Sequence, residues 1–288
     1  DKSYQDRLYI NKGSEQFALS NLLPEETNSG SCISSSDIDG DGDIDLFVGS
    51  RCVPGKYPTP PEHLLLINNQ GSFLNLIQKL APELNSVGMI CAAQFADLDN
   101  DHKDELIVAG EFTPICIFKM KDGKFENVTT AYSLQASYGL WKSLYIEDLN
   151  NDGFKDIVAG NTGLNTYFKA SPEQPIELYY SDFDKNGTVD PILCQYNGSK
   201  SYPIVYRDRL LDQMVILKKK FTRYEPYAKA TLNDIFNEDQ LKNSKKLFSS
   251  MLESKILMSD HGKSFVISNL PIQAQFSSLN ASLTIDYN

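Results

Sequence analysis

Four short acidic segments carry the residues of this chain whose types and spacing best fit a chemical role. Each segment spans nine residues and places oxygen-bearing side chains at positions 1, 3, 5 and 9. These are Asp37, Asp39, Asp41 and Asp45 in loop one, Asp97, Asp99, Asp101 and Glu105 in loop two, Asp148, Asn150, Asp152 and Asp156 in loop three, and Asp182, Asp184, Asn186 and Asp190 in loop four. Clustered carboxylates repel one another in water, and Ca²⁺, which takes about 6–8 oxygen ligands, removes that repulsion. The pattern therefore predicts calcium sites, with about three to four bound ions.

Positions 6 and 7 of the loops add to the calcium hypothesis. Position 6 is Gly in loops one, three and four, which suits a sharp turn with a positive φ, whereas loop two has His102 there and is the least typical copy. Position 7 would offer its backbone carbonyl, so its side chain can vary. The residues at position 7 are Asp43, Lys103, Phe154 and Thr188.

The elements around the loops read as β-strands rather than helices. An EF-hand would need a bidentate Glu at position 12, where this chain has Val48, Val108, Ala159 and Leu193. Short apolar, β-branched runs follow each loop, which favours buried strands, so each loop is predicted to be the tip of a β-hairpin. Asp, Asn and Gly are also ordinary turn residues. Four copies in the same spacing favour metal loops over solvated turns.

A second repeated signature supports a repeat architecture. Asn or Asp near Gly between apolar runs predicts further hairpins at residues 8–17, 66–73, 117–125 and 256–265. Units of four strands are typical of propeller blades, so the chain is predicted to be all-β and to form a partial β-propeller over residues 1–288. The third unit should be short. The hairpin at 256–265 should open a fifth unit whose loop begins at Asp286, and the chain would be an open arc cut from a longer protein.

Residues 207–253 depart from the repeat and are predicted to be a small helical insertion in the fourth unit. Apolar residues from Leu210 to Phe221 follow helical spacing. Thr231 and Asp234 have the spacing of a helix-capping pair, and a second helix is predicted from about Asp239 to Leu252.

Composition excludes several classes of function. The net charge is −11, and the four loops hold 16 of the 38 acidic residues, so the acidity is mainly a property of the metal loops. It argues against nucleic acid, which needs a basic face. No segment is long enough to span a membrane. The five cysteines lack zinc spacing; a disulfide between Cys32 and Cys52 is conceivable, and buried thiols are the simpler interpretation. No nucleophile elbow, phosphate loop or zinc-binding histidine motif is found, which predicts a protein that is not an enzyme.

The residues that follow the loops resemble a known repeat family. Leu46-Phe-Val-Gly49, Leu106-Ile-Val-Ala-Gly110 and Ile157-Val-Ala-Gly-Asn161 are similar to the FG-GAP repeats of integrin α-subunit propellers and to their bacterial VCBS-type relatives. The resemblance is closest to large bacterial surface proteins with such repeats. It implies a seven-bladed parent propeller, calcium at the loops, and export to the outer-membrane surface of Gram-negative bacteria as a lipoprotein.

The function expected from this resemblance is a non-catalytic, calcium-stabilised extracellular module. It would bind a protein partner or a glycan, or act as a scaffold, within a larger bacterial surface protein. The alternatives are the propeller domain of a glycan-degrading enzyme and a structural subunit of an outer-membrane transport assembly. Fold-level similarity alone does not choose among them.

Overall fold

The computed structural model describes residues 4–26 and 28–285, which fold mainly into antiparallel β-strands. The strands are β1 (Leu8–Gly13), β2 (Gln16–Ser20), β3 (Ser29–Ser36), β4 (Asp45–Cys52), β5 (Leu64–Asn69), β6 (Ser72–Asn75), β7 (Met89–Ala96), β8 (Glu105–Thr113), β9 (Cys116–Lys121), β10 (Lys124–Asn127), β11 (Gly139–Leu140), β12 (Ser143–Glu147), β13 (Asp156–Gly160), β14 (Ile176–Ser181), β15 (Asp190–Asn197), β16 (Lys200–Pro203), β17 (Lys245–Ser249), β18 (Lys255–Ser259) and β19 (Phe265–Asn269).

The strands form four main sheets and one separate hairpin, β1-β2. Sheet one has the order β3-β4-β5-β6, and sheet two has the order β10-β9-β8-β11 with β7 also paired to β8. Sheet three has the order β12-β13-β18-β19, and sheet four has the order β16-β15-β14-β17. Each acidic loop joins two antiparallel neighbours, which confirms that the loops are hairpin tips. The hairpins predicted from the Asn/Asp-Gly signature are also present.

Sheet three corrects the predicted order of the units. β13 pairs with β18, with Ile157 opposite Leu257, so this sheet is completed only after residues 161–254 have formed sheet four and the helices. The prediction of a short third unit was therefore wrong, and so was the assignment of residues 256–265 to a fifth unit. Local patterns identify strands but do not say which strands pair over a long separation. The predicted start of a fifth loop, Asp286, lies outside the described residues.

The helices occupy a smaller part of residues 207–253 than predicted. Within this segment lie α2 (Arg207–Gln213), α3 (Tyr224–Ala228), α4 (Leu232–Ile235) and α5 (Glu238–Lys242), and a further helix, α1 (Ile77–Leu80), lies between sheets one and two in the chain. Thr231 and Asp234 form the predicted capping box. The helix predicted from Asp239 to Leu252 was wrong: α5 ends at Lys242, and the next residues form β17, which pairs with β14. That pairing gives the edge of sheet four hydrogen-bond partners that a longer helix could not supply.

Sheets one, two and three pack side by side through alternate faces of their strands. In β8, Leu106 and Val108 belong to the core shared with sheet one, whereas Ile107 and Ala109 belong to the core shared with sheet three. The alternation follows from the two-residue period of a strand, and burial on both faces explains the continuous apolar run of β8. Trp141 lies fully buried in the second of these cores.

Sheet four packs at the end of β8 that is remote from loop two. Phe112, near the C-terminal end of β8, shares an apolar cluster with Leu140, Ile176 and Leu178. The backbone N–H of Ser250 donates to the carbonyl of Tyr138 at 3.0 Å and fixes the chain after β17 beside β11. Loop four therefore belongs to a separate sheet, not to the row formed by sheets one, two and three.

The disulfide considered between Cys32 and Cys52 is not formed in the described part of the chain. Both thiols are free, and the strand pairing sets Cys32 opposite Gly49 and Cys52 opposite Ser29. Burial raises the pKa of Cys32 to about 11, as expected of a thiol in an apolar setting.

Candidate metal loops

Loops one, two and three lie next to one another at one edge of the structure. Ser36, at the entry to loop one, donates its hydroxyl to Asp104 of loop two at 2.7 Å. The side-chain amide of Asn100 in loop two donates to the carbonyl of Gly153 in loop three at 2.9 Å. The three loops share an edge because β4, β8 and β13 each begin at position 9 of a loop and run away from it in neighbouring sheets.

All four loops repeat the same internal hydrogen bonds. The carboxylate at position 1 accepts from the backbone N–H of position 6 in the pairs Asp37–Gly42 (3.1 Å), Asp97–His102 (2.9 Å), Asp148–Gly153 (2.8 Å) and Asp182–Gly187 (2.8 Å). The side chain at position 5 accepts from the backbone N–H of position 7 in the pairs Asp41–Asp43 (2.8 Å), Asp101–Lys103 (2.9 Å), Asp152–Phe154 (2.9 Å) and Asn186–Thr188 (2.8 Å). Backbone amides thus hold these oxygens in one orientation in every copy.

The backbone turns twice through the left-handed region in each loop. At position 6, φ is +91° in Gly42, +90° in Gly153 and +88° in Gly187, and His102 adopts +65° at the same place. The turn predicted from the glycines is therefore present, and loop two forms it with a residue for which such a φ is less favourable. Position 4 also has a positive φ in every loop, at Gly40, Asn100, Asn151 and Lys185. Three of these four residues are Gly or Asn, a signal that sequence reasoning missed.

Position 9 is buried in every loop and acts as a clamp. One oxygen of this carboxylate accepts from the backbone N–H of position 2 in the pairs Asp45–Ile38 (2.8 Å), Glu105–Leu98 (2.9 Å), Asp156–Leu149 (3.0 Å) and Asp190–Phe183 (3.0 Å). The second oxygen accepts from a different element, namely Asn68 N (2.7 Å), Lys119 Nζ (2.7 Å), Ser259 N (2.7 Å) and Gln213 Nε2 (3.0 Å) respectively. Burial raises the pKa of the carboxyl groups of Asp45, Glu105 and Asp190. The clamp was not visible in the sequence, because the partner of its second oxygen comes from another element.

The loops bring acidic side chains close enough to share one cation. Three carboxylates have oxygens within 4.8 Å of one another in three of the loops: Asp37, Asp39 and Asp41 in loop one, Asp97, Asp99 and Glu105 in loop two, and Asp182, Asp184 and Asp190 in loop four. Two oxygens on opposite sides of a Ca²⁺ ion stand about 4.8 Å apart, since each Ca–O distance is about 2.4 Å. In loop three, position 3 is Asn150, and its amide oxygen accepts from the backbone N–H of Asp152 at 3.0 Å. All of these donors are oxygens, and oxygen is the donor type that a hard cation such as Ca²⁺ takes.

A groove of about 830 Å³ separates loop one from loop two. Its walls include the acidic and basic side chains of the two loops, among them Asp39 and Lys103, and its floor includes Phe95, Met120 and Phe125. Apolar floors with polar rims are typical of surfaces that bind partners.

A second charged cluster lies at the opposite end of β8. The buried Glu111 carboxylate accepts from Lys142 Nζ at 2.7 Å, from Arg51 Nη2 at 2.9 Å and from the Tyr57 hydroxyl at 3.2 Å. Burial acts to raise the pKa of Glu111, but the hydrogen bonds and charges of Lys142 and Arg51 hold it below its usual value. These groups line a pocket of about 500 Å³ that also includes Phe168. No sequence motif pointed to this cluster.

One known protein family matches part of the chain. A family described as FG-GAP-like repeat matches residues 97–159, which run from the first residue of loop two into β13 and include loop three. No curated protein matches the chain. Among the described residues, no helix has both the length and the apolar character needed to cross a membrane. The family match supports the repeat assignment made from the residues after the loops.

Proposed function

We propose that this chain is a non-catalytic, calcium-stabilised interaction or scaffold module that works outside the cell. The observation that carries the proposal is the hydrogen-bond pattern repeated in all four acidic loops, which holds the oxygens of positions 1 and 5 in the same orientation in every copy. The FG-GAP-like match over loops two and three supports the same conclusion, since such repeats suggest extracellular interaction or scaffold modules.

Calcium would be held by the side-chain oxygens at positions 1, 3, 5 and 9 and by the carbonyl at position 7. In loop one the exposed carboxylates of Asp37, Asp39 and Asp41 repel each other, and a bound ion would replace that repulsion by attraction. The ion would also link the first and last residues of the loop, so the hairpin tip would resist opening. Loops three and four have the same arrangement, with one amide oxygen each in place of a carboxylate.

A propeller is the architecture that best accommodates sheets one to three. Each sheet places its acidic loop between its first two strands, and the loops of neighbouring sheets touch. Sheet two buries both faces, one against each neighbour, as an internal blade does. We propose that these sheets are consecutive blades and that sheet four is inserted within the third. A seven-bladed parent protein is the expectation that the family resemblance adds.

The partner proposed for the module is a protein at the cell surface, with a glycan as the second candidate. The groove between loops one and two supports this, because its apolar floor lies beside the metal loops that would hold its walls in place. A bacterial outer-membrane lipoprotein, in contact with a transporter assembly, is the cellular setting that the resemblance suggests.

A catalytic role is the alternative, and the Glu111 pocket is a candidate place for it. A general acid must hold a proton near the working pH. Glu111 is paired with Lys142 and Arg51, and these cations keep its carboxyl group ionised. This pairing favours a structural role for Glu111 and supports the non-catalytic proposal.

Calorimetric titration of chelator-treated protein with Ca²⁺ tests the proposal. We expect saturable binding of several ions and a rise in melting temperature that Mg²⁺ at the same concentration does not reproduce, because Mg²⁺ requires near-ideal octahedral geometry. The matched variant is Asp39→Asn, which keeps the shape of the side chain and removes one charge; it should weaken one site. Absence of both binding heat and thermal stabilisation would contradict the proposal.

A further inference from the structure

We infer that loop two carries its own cation, the ammonium group of Lys119, and takes up no Ca²⁺ where loops one, three and four do. The inference rests on the proposed calcium function of the other loops. Lys119 lies on β9, and its Nζ is 2.6 Å from Asp99 Oδ2, 2.9 Å from Asp101 Oδ2 and 2.7 Å from Glu105 Oε1. These three carboxylates occupy positions 3, 5 and 9, so the ammonium occupies the place where a metal ion would bind.

Strand register shows that neither neighbouring loop has a counterpart of this lysine. Leu106 pairs with Phe118, which sets Lys119 opposite Glu105 at position 9. The pairing of Leu46 with Leu66 sets Ile67 opposite position 9 of loop one, and the pairing of Ile157 with Leu257 sets Met258 opposite position 9 of loop three. Both neighbouring loops, one and three, thus face an apolar side chain at the register position from which loop two receives a charge.

The clamp of position 9 changes in the same way. In loops one and three the second oxygen of position 9 accepts from a backbone N–H of the third strand, at Asn68 and Ser259. In loop two that oxygen accepts from Lys119 Nζ. In loop two the ammonium group of Lys119 therefore takes the place of the backbone N–H that binds position 9 in loops one and three, and also the place of the metal ion.

An ammonium suits this place for physical reasons. It has three N–H donors, and each of the three carboxylates accepts one of them at a distance typical of charge-assisted hydrogen bonds. Because the lysine is tethered to β9, it is always present at high effective concentration, whereas calcium has to be supplied. A metal ion could enter only by displacing the ammonium from all three oxygens. Loop two would then stay ordered at calcium concentrations at which loops one and three, its neighbours on the same edge, lose their ions.

Counting bound ions in a lysine variant tests the inference. Lys119→Met introduces the residue type that loop three has at this register position. The control is Lys121→Met on the same strand, which removes one positive charge from an exposed side chain 3.5 Å from Glu126. Native mass spectrometry of protein prepared in Ca²⁺ should show one more bound ion in K119M than in the unchanged chain, and no additional ion in K121M. In chelator, K119M should melt at a lower temperature than the unchanged chain, and Ca²⁺ should restore it.

The possible results separate this inference from the proposed calcium function. Equal ion counts in K119M and the unchanged chain, with calcium bound in both, would overturn the inference and leave the calcium function standing. One ion in K119M and none in the unchanged chain would support the role of Lys119 in loop two and refute calcium binding by the other loops. If K119M folds only when Ca²⁺ is present and then holds one extra ion, the inference is supported. An extra ion in K121M as well would overturn it, since loss of any nearby charge would then be enough.

Discussion

Two substitutions in loop one should separate the clamp made by Asp45 from calcium binding, to which Asp41 and Asp45 would both contribute. Asp45 is fully buried and accepts from the backbone N–H groups of Ile38 (2.8 Å) and Asn68 (2.7 Å). Asp41 is exposed, and its carboxylate accepts from the backbone N–H of Asp43. We therefore expect Asp45→Ala to destabilise the protein with or without calcium, and Asp41→Ala to destabilise it only when calcium is present.

The size of each effect follows from the contacts. Asp45→Ala leaves two part-buried N–H groups without their acceptor. An unsatisfied buried donor costs about 1–3 kcal/mol, and water can reach part-buried groups, so the free energy of unfolding should fall by about 1–3 kcal/mol in chelator. Asp41→Ala should remove one calcium site. For extracellular-type sites with Kd of about 10⁻⁴–10⁻³ M, about 10 mM Ca²⁺ stabilises the folded chain by about 1.4–2.7 kcal/mol per site, which this variant should lose. In chelator it should be as stable as the unchanged chain or slightly more so, because one of three mutually repelling carboxylates is gone.

The assay is urea unfolding of both variants and the unchanged chain, in chelator and in about 10 mM Ca²⁺. Asp45→Ala should be less stable than the unchanged chain in both buffers, and Asp41→Ala should be less stable than the unchanged chain only in Ca²⁺. Two results would refute the reasoning: an Asp45→Ala variant as stable as the unchanged chain in chelator, or an Asp41→Ala variant that loses as much stability in chelator as in calcium. The first would show that the clamp contributes nothing, and the second that Asp41 acts through contacts other than the metal.

Three further predictions concern positions outside the loops. Burial lowers the pKa of His63 from 6.5 to about 4, so on acidification the unfolded chain binds this proton at a higher pH than the folded chain does. The free energy of unfolding should therefore be unaffected above pH 6.5 and should fall by about 2 kcal/mol between pH 7 and pH 5. Urea unfolding of His63→Asn should lack this loss. The pKa of Glu111 is lowered in the folded chain. Its contribution to the free energy of unfolding, about 1.5–3 kcal/mol, is therefore present above pH 4.5 and is lost as pH falls through the folded-state pKa. Urea unfolding curves of Glu111→Gln and of the unchanged chain should converge in acid. A Cβ on Gly110 would lie 1.8 Å from the carbonyl oxygen of Met89, so Gly110→Ala should lower the free energy of unfolding by about 3 kcal/mol or more, seen as a lower melting temperature. The control is Gly123→Ala, whose Cβ meets no described atom within 4 Å. It should lower the free energy of unfolding by only about 1–2 kcal/mol, because of its positive φ.

The loops and their hairpins could be predicted from the sequence because their signals are local. The oxygen spacing, the glycines at position 6 and the apolar run after each loop all lie within about a dozen residues. The same locality explains what was missed. The pairing of Ile157 with Leu257 joins strands on either side of sheet four, and no short pattern records it. Lys119 became informative only when strand register placed it opposite Glu105, 14 residues before it in the chain.

The arrangement of sheet three explains how sheet four can be carried without disturbing the loops. Ala159 and Lys255 are paired in neighbouring strands, so the two ends of the segment 161–254 lie side by side. A segment whose ends meet in this way can be inserted with little strain on the host sheet. The acidic loop of sheet three joins the other end of β13, where Asp156 accepts a hydrogen bond from the backbone N–H of Ser259 in β18, the strand that follows residues 161–254. The return of the chain into sheet three therefore completes the clamp of loop three. Residues 161–254 leave and re-enter sheet three at the end of its strands opposite the acidic loop, so this segment does not disturb the edge formed by loops one, two and three.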